Sequence, residues 1–308
     1  MKRNSRLYKG IPILVLLCGS PVLAAAQQTA TDFFKISLRA IDYKDYENVI
    51  FFANKALEIN PKYAAAYWNR AIGYDGKNEL DKSIKDYTTA ITLYDNPTDL
   101  AVLYKNRGME YDNMHKYDSA ILDFNKAIEM NPALGYAYWN KGLAFDGLKK
   151  YDSAAANYTL AMNFFQPGGD LLQLYLQRGS DYNNLNEKKK AEADYRKVIK
   201  MATEPGYYSA YAMVMLDDKK GAIDEVHKFI PHDKFTPKDL KSAYFNAASI
   251  YSVLGNEVFA TEYLDMALAE GYNDFVYISR DKDFDPMRDK EGFKNVIKKF
   301  TEKPVPKH

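Results

Sequence analysis

Amide and carboxylate side chains recur at two fixed positions in the middle of the chain. The second position follows the first by six residues, and this spacing occurs four times. The amides are Asn69, Asn106, Asn140 and Gln177, and the residues six positions later are Asp75, Asp112, Asp146 and Asn183. An amide can donate to and accept from the backbone of an extended peptide of any sequence, whereas a carboxylate favours a ligand that carries Lys or Arg. The two series predict a surface that binds a protein or extended peptide with basic groups.

Large side chains directly precede these amides. They are Trp68, Lys105, Trp139 and Leu176. Tryptophan rings offer contact area to a protein partner. Two other interpretations stay open. In one, the polar residues are simply solvated and the tryptophans fill gaps between neighbouring elements. In the other, the two rings stack on a cell-envelope glycan or another small ligand.

No motif in the sequence points to catalysis. The four histidines are His115, His227, His232 and His308, and no two of them have the i, i+4 spacing of ligands that converge on a metal ion. The chain has no phosphate-binding loop, nucleophile elbow or glycine-rich dinucleotide fingerprint. We therefore expect a non-catalytic protein with no cofactor and no bound metal.

The first 26 residues have the pattern of a secretory signal peptide. Four basic residues between positions 2 and 9 precede an apolar run from Ile11 to Leu17, and Ala24–Ala26 supply the small residues of a cleavage site. The only cysteine, Cys18, lies in this segment. Its lipidation stays open, although the bulky Leu17 before it argues against a lipoprotein signal. We expect an exported protein of the periplasm or cell envelope, with secretion as an alternative.

The charge of the chain bears on its partners. Removal of residues 1–26 changes the formal net charge from +1 to −3. Nucleic-acid binding calls for a basic face, so no nucleic-acid partner is expected. After residue 26 no apolar run approaches the ~20 residues that span a bilayer. Self-assembly into a homo-oligomer stays open as an alternative, but the sequence does not indicate it.

One stretch of the chain occurs twice. Residues 66–76 read AYWNRAIGYDG and residues 137–147 read AYWNKGLAFDG, at an offset of 71 residues. Around each copy, apolar and small residues recur at steps of 4, 3, 6, 3, 4 and 3 residues. The short steps are helical, and the step of six spans a tight turn. Each block therefore predicts two antiparallel helices.

This pattern resembles the tetratricopeptide repeat (TPR), which has a period of 34 residues. Tyr104, Gly108, Tyr111, Ala120 and Phe124 occupy its aromatic and small positions in one block. The resemblance implies an all-α, right-handed superhelical solenoid of about seven helical hairpins, a scaffold that binds a protein partner in its concave groove. Lys105 is the only basic residue at the predicted groove positions, which disfavours a chain-terminal carboxylate as the ligand. Within a solenoid of residues 27–272, the predicted repeats are 30–63, 64–97, 101–134, 135–168, 172–205, a degenerate 206–230 and 240–272.

Residues 273–308 have a different pattern and are predicted to form a cap and tail. The stretch DKDFDPMRDKEGF, residues 281–293, resembles a segment that closes some bacterial TPR arrays. An open array leaves its last apolar face bare and needs a cap. Phe275, Phe284, Phe293 and Ile297 are expected to cover that face. The acidic residues of the segment lack the spacing of a calcium-binding loop.

Basic residues also recur, at position 7 of each central repeat, with a partner sixteen residues later. The pairs are Arg70 with Asp86, Arg107 with Asp123, Lys141 with Asn157, and Arg178 with Asp194. We predict a bond between the two helices of each hairpin, bidentate in the three arginine pairs. The alternative is that the arginines bind ligand, but position 7 belongs to the packing stripe of the first helix.

Overall fold

The computed structural model describes residues 28–230 and 240–302, and these residues form sixteen α-helices and no β-strand. The predicted signal peptide, with Cys18, lies outside the described residues. No helix in the described ranges is long and apolar enough to cross a bilayer. The helices are α1 (Ala30–Asp42), α2 (Tyr46–Ile59), α3 (Ala64–Gly76), α4 (Leu80–Leu93), α5 (Pro97–Asn113), α6 (Tyr117–Met130), α7 (Gly135–Gly147), α8 (Tyr151–Ala161), α9 (Gly169–Asn184), α10 (Lys188–Met201), α11 (Tyr207–Met215), α12 (Lys219–Phe229), α13 (Leu240–Val253), α14 (Glu257–Ala269), α15 (Phe275–Arg280) and α16 (Glu291–Thr301).

Consecutive helices pair into hairpins, and the hairpins stack side by side. Each odd-numbered helix from α1 to α13 packs against the helix that follows it, and each even-numbered helix packs against the first helix of the next hairpin. In the part of the chain that the structure describes, this gives seven hairpins. The described residues form an all-α solenoid of stacked helical hairpins, as the sequence predicts.

The tight turn inside a hairpin closes in the same way in successive repeats. In the third hairpin, His115 has a left-handed backbone, with φ of 58°. The backbone N–H of His115 donates to Asp112 O, and that of Lys116 donates to Tyr111 O, both at 2.8 Å. These two hydrogen bonds together form the Schellman motif, which satisfies backbone carbonyl groups at the end of a helix. Corresponding left-handed residues are Lys44, Asn78, Lys149, Asn186 and Asp217, with Gly255 in the seventh hairpin.

The two helices of a hairpin meet where a glycine faces an aromatic ring. A Cβ atom on Gly108 would lie 2.7 Å from Cε1 of Phe124, and the ring of Phe124 is completely buried. Gly142 has the same relation to Tyr158, and Gly179 to Tyr195. The second helix can approach closely only because the first has no side chain at this point.

The predicted bonds between each arginine at position 7 and the aspartate sixteen residues later form in all three repeats that have this pair. Nε and Nη2 of Arg107 donate to the two oxygens of Asp123 at 2.7 and 2.8 Å. The same two nitrogens join Arg70 to Asp86 and Arg178 to Asp194, at 2.6 to 2.8 Å. The arginine predictions are therefore confirmed.

The prediction for the lysine repeat is wrong. No hydrogen bond joins Lys141 to Asn157 among the described residues, and Nδ2 of Asn157 donates instead to Ser153 O at 2.7 Å. The Lys141 ammonium lies 5.9 Å from the centre of the Phe145 ring. An ammonium lacks the planar fork that holds a guanidinium against a carboxylate, so the lysine side chain follows the aromatic ring.

The third arginine nitrogen makes a contact that the sequence analysis missed. Nη1 of Arg107 donates to Oγ1 of Thr88 in the preceding hairpin, at 2.9 Å. Nη1 of Arg178 donates to Oγ1 of Thr159 at the same distance, and Nη1 of Arg70 donates to Oδ1 of Asn54 at 2.7 Å. Each arginine therefore links its own hairpin to the one before it.

The C-terminal segment covers the last hairpin. Phe284 and Phe293 are buried, and Phe275 and Ile297 are half-buried, in one core cluster with side chains of α13 and α14. All four residues that were expected to cover this face therefore pack in this cluster. Arg288 holds the segment in place, since its guanidinium donates to the backbone oxygens of Ile278 and Asp281.

Candidate binding groove

The predicted groove residues lie on the first helices of the second to fifth hairpins, α3, α5, α7 and α9. Asn69 is buried and Asp75 is exposed, while the other members are half-buried. The half-buried members are Trp68, Lys105, Asn106, Asp112, Trp139, Asn140, Asp146 and Gln177. The structure brings Trp139, Asp146 and Gln177 together around one cavity, which the other members of the set do not line.

Asn69 is engaged within the protein. It is 5 % exposed, and its Nδ2 donates to Oγ of Ser37 in the first hairpin at 2.8 Å. Ser37 itself is completely buried. This amide stabilises the contact between the first two hairpins, and a ligand would have to separate them to reach it.

The two tryptophans are partly covered by aromatic neighbours. The Trp68 ring meets the Tyr94 ring edge-on at 6.0 Å between centroids. The Trp139 ring stacks on Tyr136 at 5.9 Å and meets Phe165 edge-on at 5.5 Å. Such pairs stabilise packing between elements. These contacts reduce the ring surface on which a sugar would stack.

The residues six positions after the amides bond to the second helix of their own hairpin in the fourth and fifth hairpins, but not in the third. The Tyr158 hydroxyl donates to Oδ2 of Asp146 at 2.7 Å. In the fifth hairpin, Nδ2 of Asn183 donates to the Tyr195 hydroxyl at 3.0 Å. The third hairpin has a phenylalanine at the tyrosine position, and Oδ1 of Asp112 is buried without a hydrogen-bond partner among the described residues.

The electrostatic surroundings of Asp112 reflect this lack of a donor. Burial raises the pKa of the Asp112 carboxyl to about 6, and the positive charges of His115 and Lys282 act in the opposite sense. A cation that approached the free oxygen would lower this pKa and restore the charged form. Asp112 is therefore a carboxylate of the series whose buried oxygen lacks the donor that its counterpart Asp146 has.

Two further carboxyl groups on these helices form pairs that the sequence analysis missed. Glu110 is 3 % exposed and lies against Asp75, and Asp181 is 1 % exposed and lies against Asp146. Glu110 Oε2 and Asp181 Oδ2 meet no N–H or O–H donor among the described side chains. A proton on either carboxyl lets it donate to its neighbour.

The pKa values of these groups follow from that arrangement. Burial, together with the adjacent carboxylate, raises the pKa of both Glu110 and Asp181. Two carboxyls in contact cannot both ionise without repulsion, so each pair shares one proton. Asp75 and Asp146 are 71 residues apart, and so are Glu110 and Asp181. This is the offset of the repeated stretch, so a comparison of the sequence with itself at that offset would have indicated both pairs.

A cavity of about 620 Å³ opens between the first helices and the C-terminal segment. Aromatic side chains of α11 and α15, namely Tyr207, Tyr211 and Tyr277, form one part of its wall. The polar part includes Asp146 and Gln177, and across the cavity Arg280, Lys282 and Asp283. The Tyr207 hydroxyl donates to Oδ2 of Asp283 at 2.7 Å. The site thus has an apolar wall and charges of both signs, and no group of side chains in the described ranges has the arrangement of a metal site.

Comparison with known families agrees with this architecture. Residues 101–134 and residues 172–205 each match a family model described as tetratricopeptide repeat. These two repeats coincide with the hairpins α5–α6 and α9–α10. These two stretches of the chain are therefore similar to the tetratricopeptide repeat. Among curated proteins, no sequence matches it.

Solved structures show the same fold at low sequence identity. A tetratricopeptide repeat protein from Parabacteroides merdae is 16 % identical, with a TM-score of 0.59, and the match covers 87 % of this chain and 98 % of that one. MamA from Desulfovibrio magneticus is 15 % identical, with a TM-score of 0.51 and coverage of 56 % and 94 %. YrrB, described as a TPR protein with an unusual peptide-binding site, is 19 % identical, with a TM-score of 0.50 and coverage of 62 % and 92 %.

Proposed function

We propose that this protein is an exported, non-catalytic scaffold that binds a protein or extended peptide with basic groups in its groove. Stacked hairpins form a continuous surface suited to an extended partner. YrrB, which has a similar fold, is described as having a peptide-binding site, and this supports the class of ligand. Export is supported by the basic, apolar and small-residue pattern of residues 1–26.

The observation that carries the proposal is the free oxygen of Asp112. It lies on a groove helix, and it has no donor among the described residues. A Lys or Arg side chain of the partner would supply the missing donor in a charge-assisted hydrogen bond. The same arrangement disfavours an acidic ligand, since unpaired like charges are costly to bring together.

In-cell crosslinking followed by mass spectrometry tests the proposal and identifies the partner. We expect Asp112→Lys to lose the protein that the wild-type chain captures, because it places a like charge against the partner's basic group. The matched control is Glu262→Lys, which makes the same charge change at an exposed position on α14. Equal capture by both variants would show that the groove does not bind the partner.

The glycan alternative predicts a different response. A glycan that stacks on the tryptophans would change their fluorescence when cell-wall oligosaccharides are added, and Trp68→Ala would diminish that change. A clear response to the oligosaccharides, with no protein captured, would favour the glycan. Fractionation of the cells, with N-terminal sequencing of the recovered chain, tests export and the cleavage site.

A further inference from the structure

The C-terminal segment reaches across the groove to the second hairpin. Nη2 of Arg280, the last residue of α15, donates to Oδ1 of Asn78 in the turn between α3 and α4, at 3.2 Å. The two residues are 202 positions apart. Lys282 lines the same cavity as Trp139 and Asp146 of α7. Two cations of the chain itself therefore lie among the groove helices.

The carboxyls of the groove respond to these two cations. Although part of the Asp75 residue is exposed, partial desolvation of its carboxyl group raises its pKa, and the charge of Arg280 opposes that rise. The charge of Lys282 likewise opposes the raised pKa of Asp112 and of Asp181. Arg280 and Lys282 thus act on the carboxyls to which a basic partner would bind.

The segment is held firmly at its base and weakly at these two side chains. Ile278 and Phe284 are buried, and Arg288 bonds to the backbone around them. Arg280 and Lys282 are exposed, and the hydrogen bond from Arg280 to the turn of the second hairpin joins exposed groups. Contacts between exposed polar groups contribute little to stability. The two side chains can therefore leave the groove while the cap stays folded.

We propose that Arg280 and Lys282 form an internal ligand of the groove, and that the partner carries two closely spaced basic side chains that take their place. This inference rests on the proposed function. It adds the spacing of the partner's basic residues, and it names Arg280 and Lys282 as the groups that compete with them for the groove. Arg280 and Lys282 are two positions apart, so a partner segment with basic residues at i and i+2 matches them. Tyr207, Tyr211 and Tyr277 line the adjoining cavity and offer apolar contact to the rest of that segment.

Removal of the two internal cations tests the competition. The probe is a fluorescein-labelled hexa-lysine peptide, and its affinity is measured by fluorescence anisotropy at low ionic strength. We expect the double variant Arg280→Gln/Lys282→Gln to bind the probe roughly threefold to tenfold more tightly than the wild-type chain, because exposed charge pairs are individually weak. Addition of Asp112→Asn to this variant is expected to remove most of the gain.

A charge-matched control separates competition from a general change in net charge. Lys290→Gln/Lys294→Gln removes two exposed cations at the beginning of α16. The affinity of this variant for the probe is expected to stay within about twofold of the wild-type value. Equal gains in the two double variants would overturn the internal ligand. If neither the wild-type chain nor any variant binds the probe, the proposed basic-partner function fails instead.

The position of the segment is tested separately by crosslinking. In a chain that carries Cys18→Ser, the substitutions Asn78→Cys and Arg280→Cys place two thiols on the elements that the structure brings together. A short bis-maleimide reagent is expected to link them within one chain. Absence of this product, with both thiols shown to be reactive, would mean that the segment does not cross the groove.

Discussion

At the scale of single residues, each arginine at position 7 does more than form an ion pair with one aspartate. Its guanidinium also bonds to the preceding hairpin. The guanidinium of Arg107 contacts three helices, since it bonds to Asp123 of α6 and Thr88 of α4 from its place on α5. It also lies 5.4 Å from the centre of the Tyr104 ring. A planar fork with five donors can satisfy two acceptors on different helices at once, which an ammonium cannot do in the same geometry.

Removal of one such guanidinium is expected to be costly. Arg107→Leu leaves the Asp123 side chain, which is 7 % exposed, without its partner, so we expect a loss of about 3 kcal/mol of unfolding free energy. Lys141→Leu is the matched control, because Lys141 has the same position and makes no bond to Asn157 among the described residues. Its loss is expected to stay below about 1 kcal/mol. Urea denaturation of both variants makes the comparison, and equal losses would contradict the structural role of the fork.

At the scale of the helical elements, close packing within a hairpin depends on one missing side chain. Gly108 of α5 faces Phe124 of α6, and in the second hairpin Ala71 faces Tyr87 at the same positions. Both rings are buried, and of these two hairpins only the second accommodates a methyl group at this point. The distance between the two helices of a hairpin is therefore set by the pair of residues that face each other at this point in that hairpin.

Gly108→Ala is expected to destabilise the protein by about 1–3 kcal/mol, the usual cost of overpacking. The new Cβ would lie 2.7 Å from the Phe124 ring, so the ring or the helix must shift. Gly206→Ala is the control, since a Cβ there would meet no atom within 4 Å. Melting temperatures of the two variants test the expectation, and recovery in Gly108→Ala/Phe124→Leu would locate the strain. A Gly108→Ala variant as stable as the Gly206→Ala variant would refute it.

The sequence predicts local features of the fold well and long-range contacts poorly. Helix faces follow from the repeat spacing, so the bidentate bond of Arg107 to Asp123 was predictable from positions sixteen residues apart. The bond of Asn69 to Ser37 was not, because it depends on how far one hairpin is displaced from the next. The bond of Arg280 to Asn78 depends on the accumulated rotation of the whole array, which no single repeat contains.

At the scale of the whole molecule, the buried carboxyl pairs link neighbouring hairpins through shared protons. Glu110 of the third hairpin lies against Asp75 of the second, and Asp181 of the fifth lies against Asp146 of the fourth. Solenoid stability is approximately a sum of repeat stabilities and interface contributions. A change in the protonation of these pairs therefore acts on two interfaces of the array at once.

The stability of the array is accordingly expected to fall as the pH rises. The unfolded chain releases the protons of Glu110 and Asp181 near the ordinary pKa values of 4.5 and 3.8, whereas the folded chain retains them, because burial and the adjacent carboxylate raise both values. Above about pH 4 the folded state binds more protons than the unfolded state, so the free energy of unfolding decreases with pH until the folded-state pKa values are passed. Asp112, with its pKa of about 6, contributes in the same direction.

Melting temperatures between about pH 5 and pH 9 measure this effect, and neutral amides isolate it. Glu110→Gln/Asp181→Asn keeps a donor towards Asp75 and Asp146 at every pH, so we expect this variant to be more stable than wild type at pH 8 and to show a flatter profile. Glu262→Gln/Glu270→Gln removes two exposed carboxyls instead and is expected to retain the wild-type slope. If the buried double variant keeps the wild-type slope as well, the protons are not held in these pairs. The contacts between the hairpins then depend on the arginine forks and the apolar core alone.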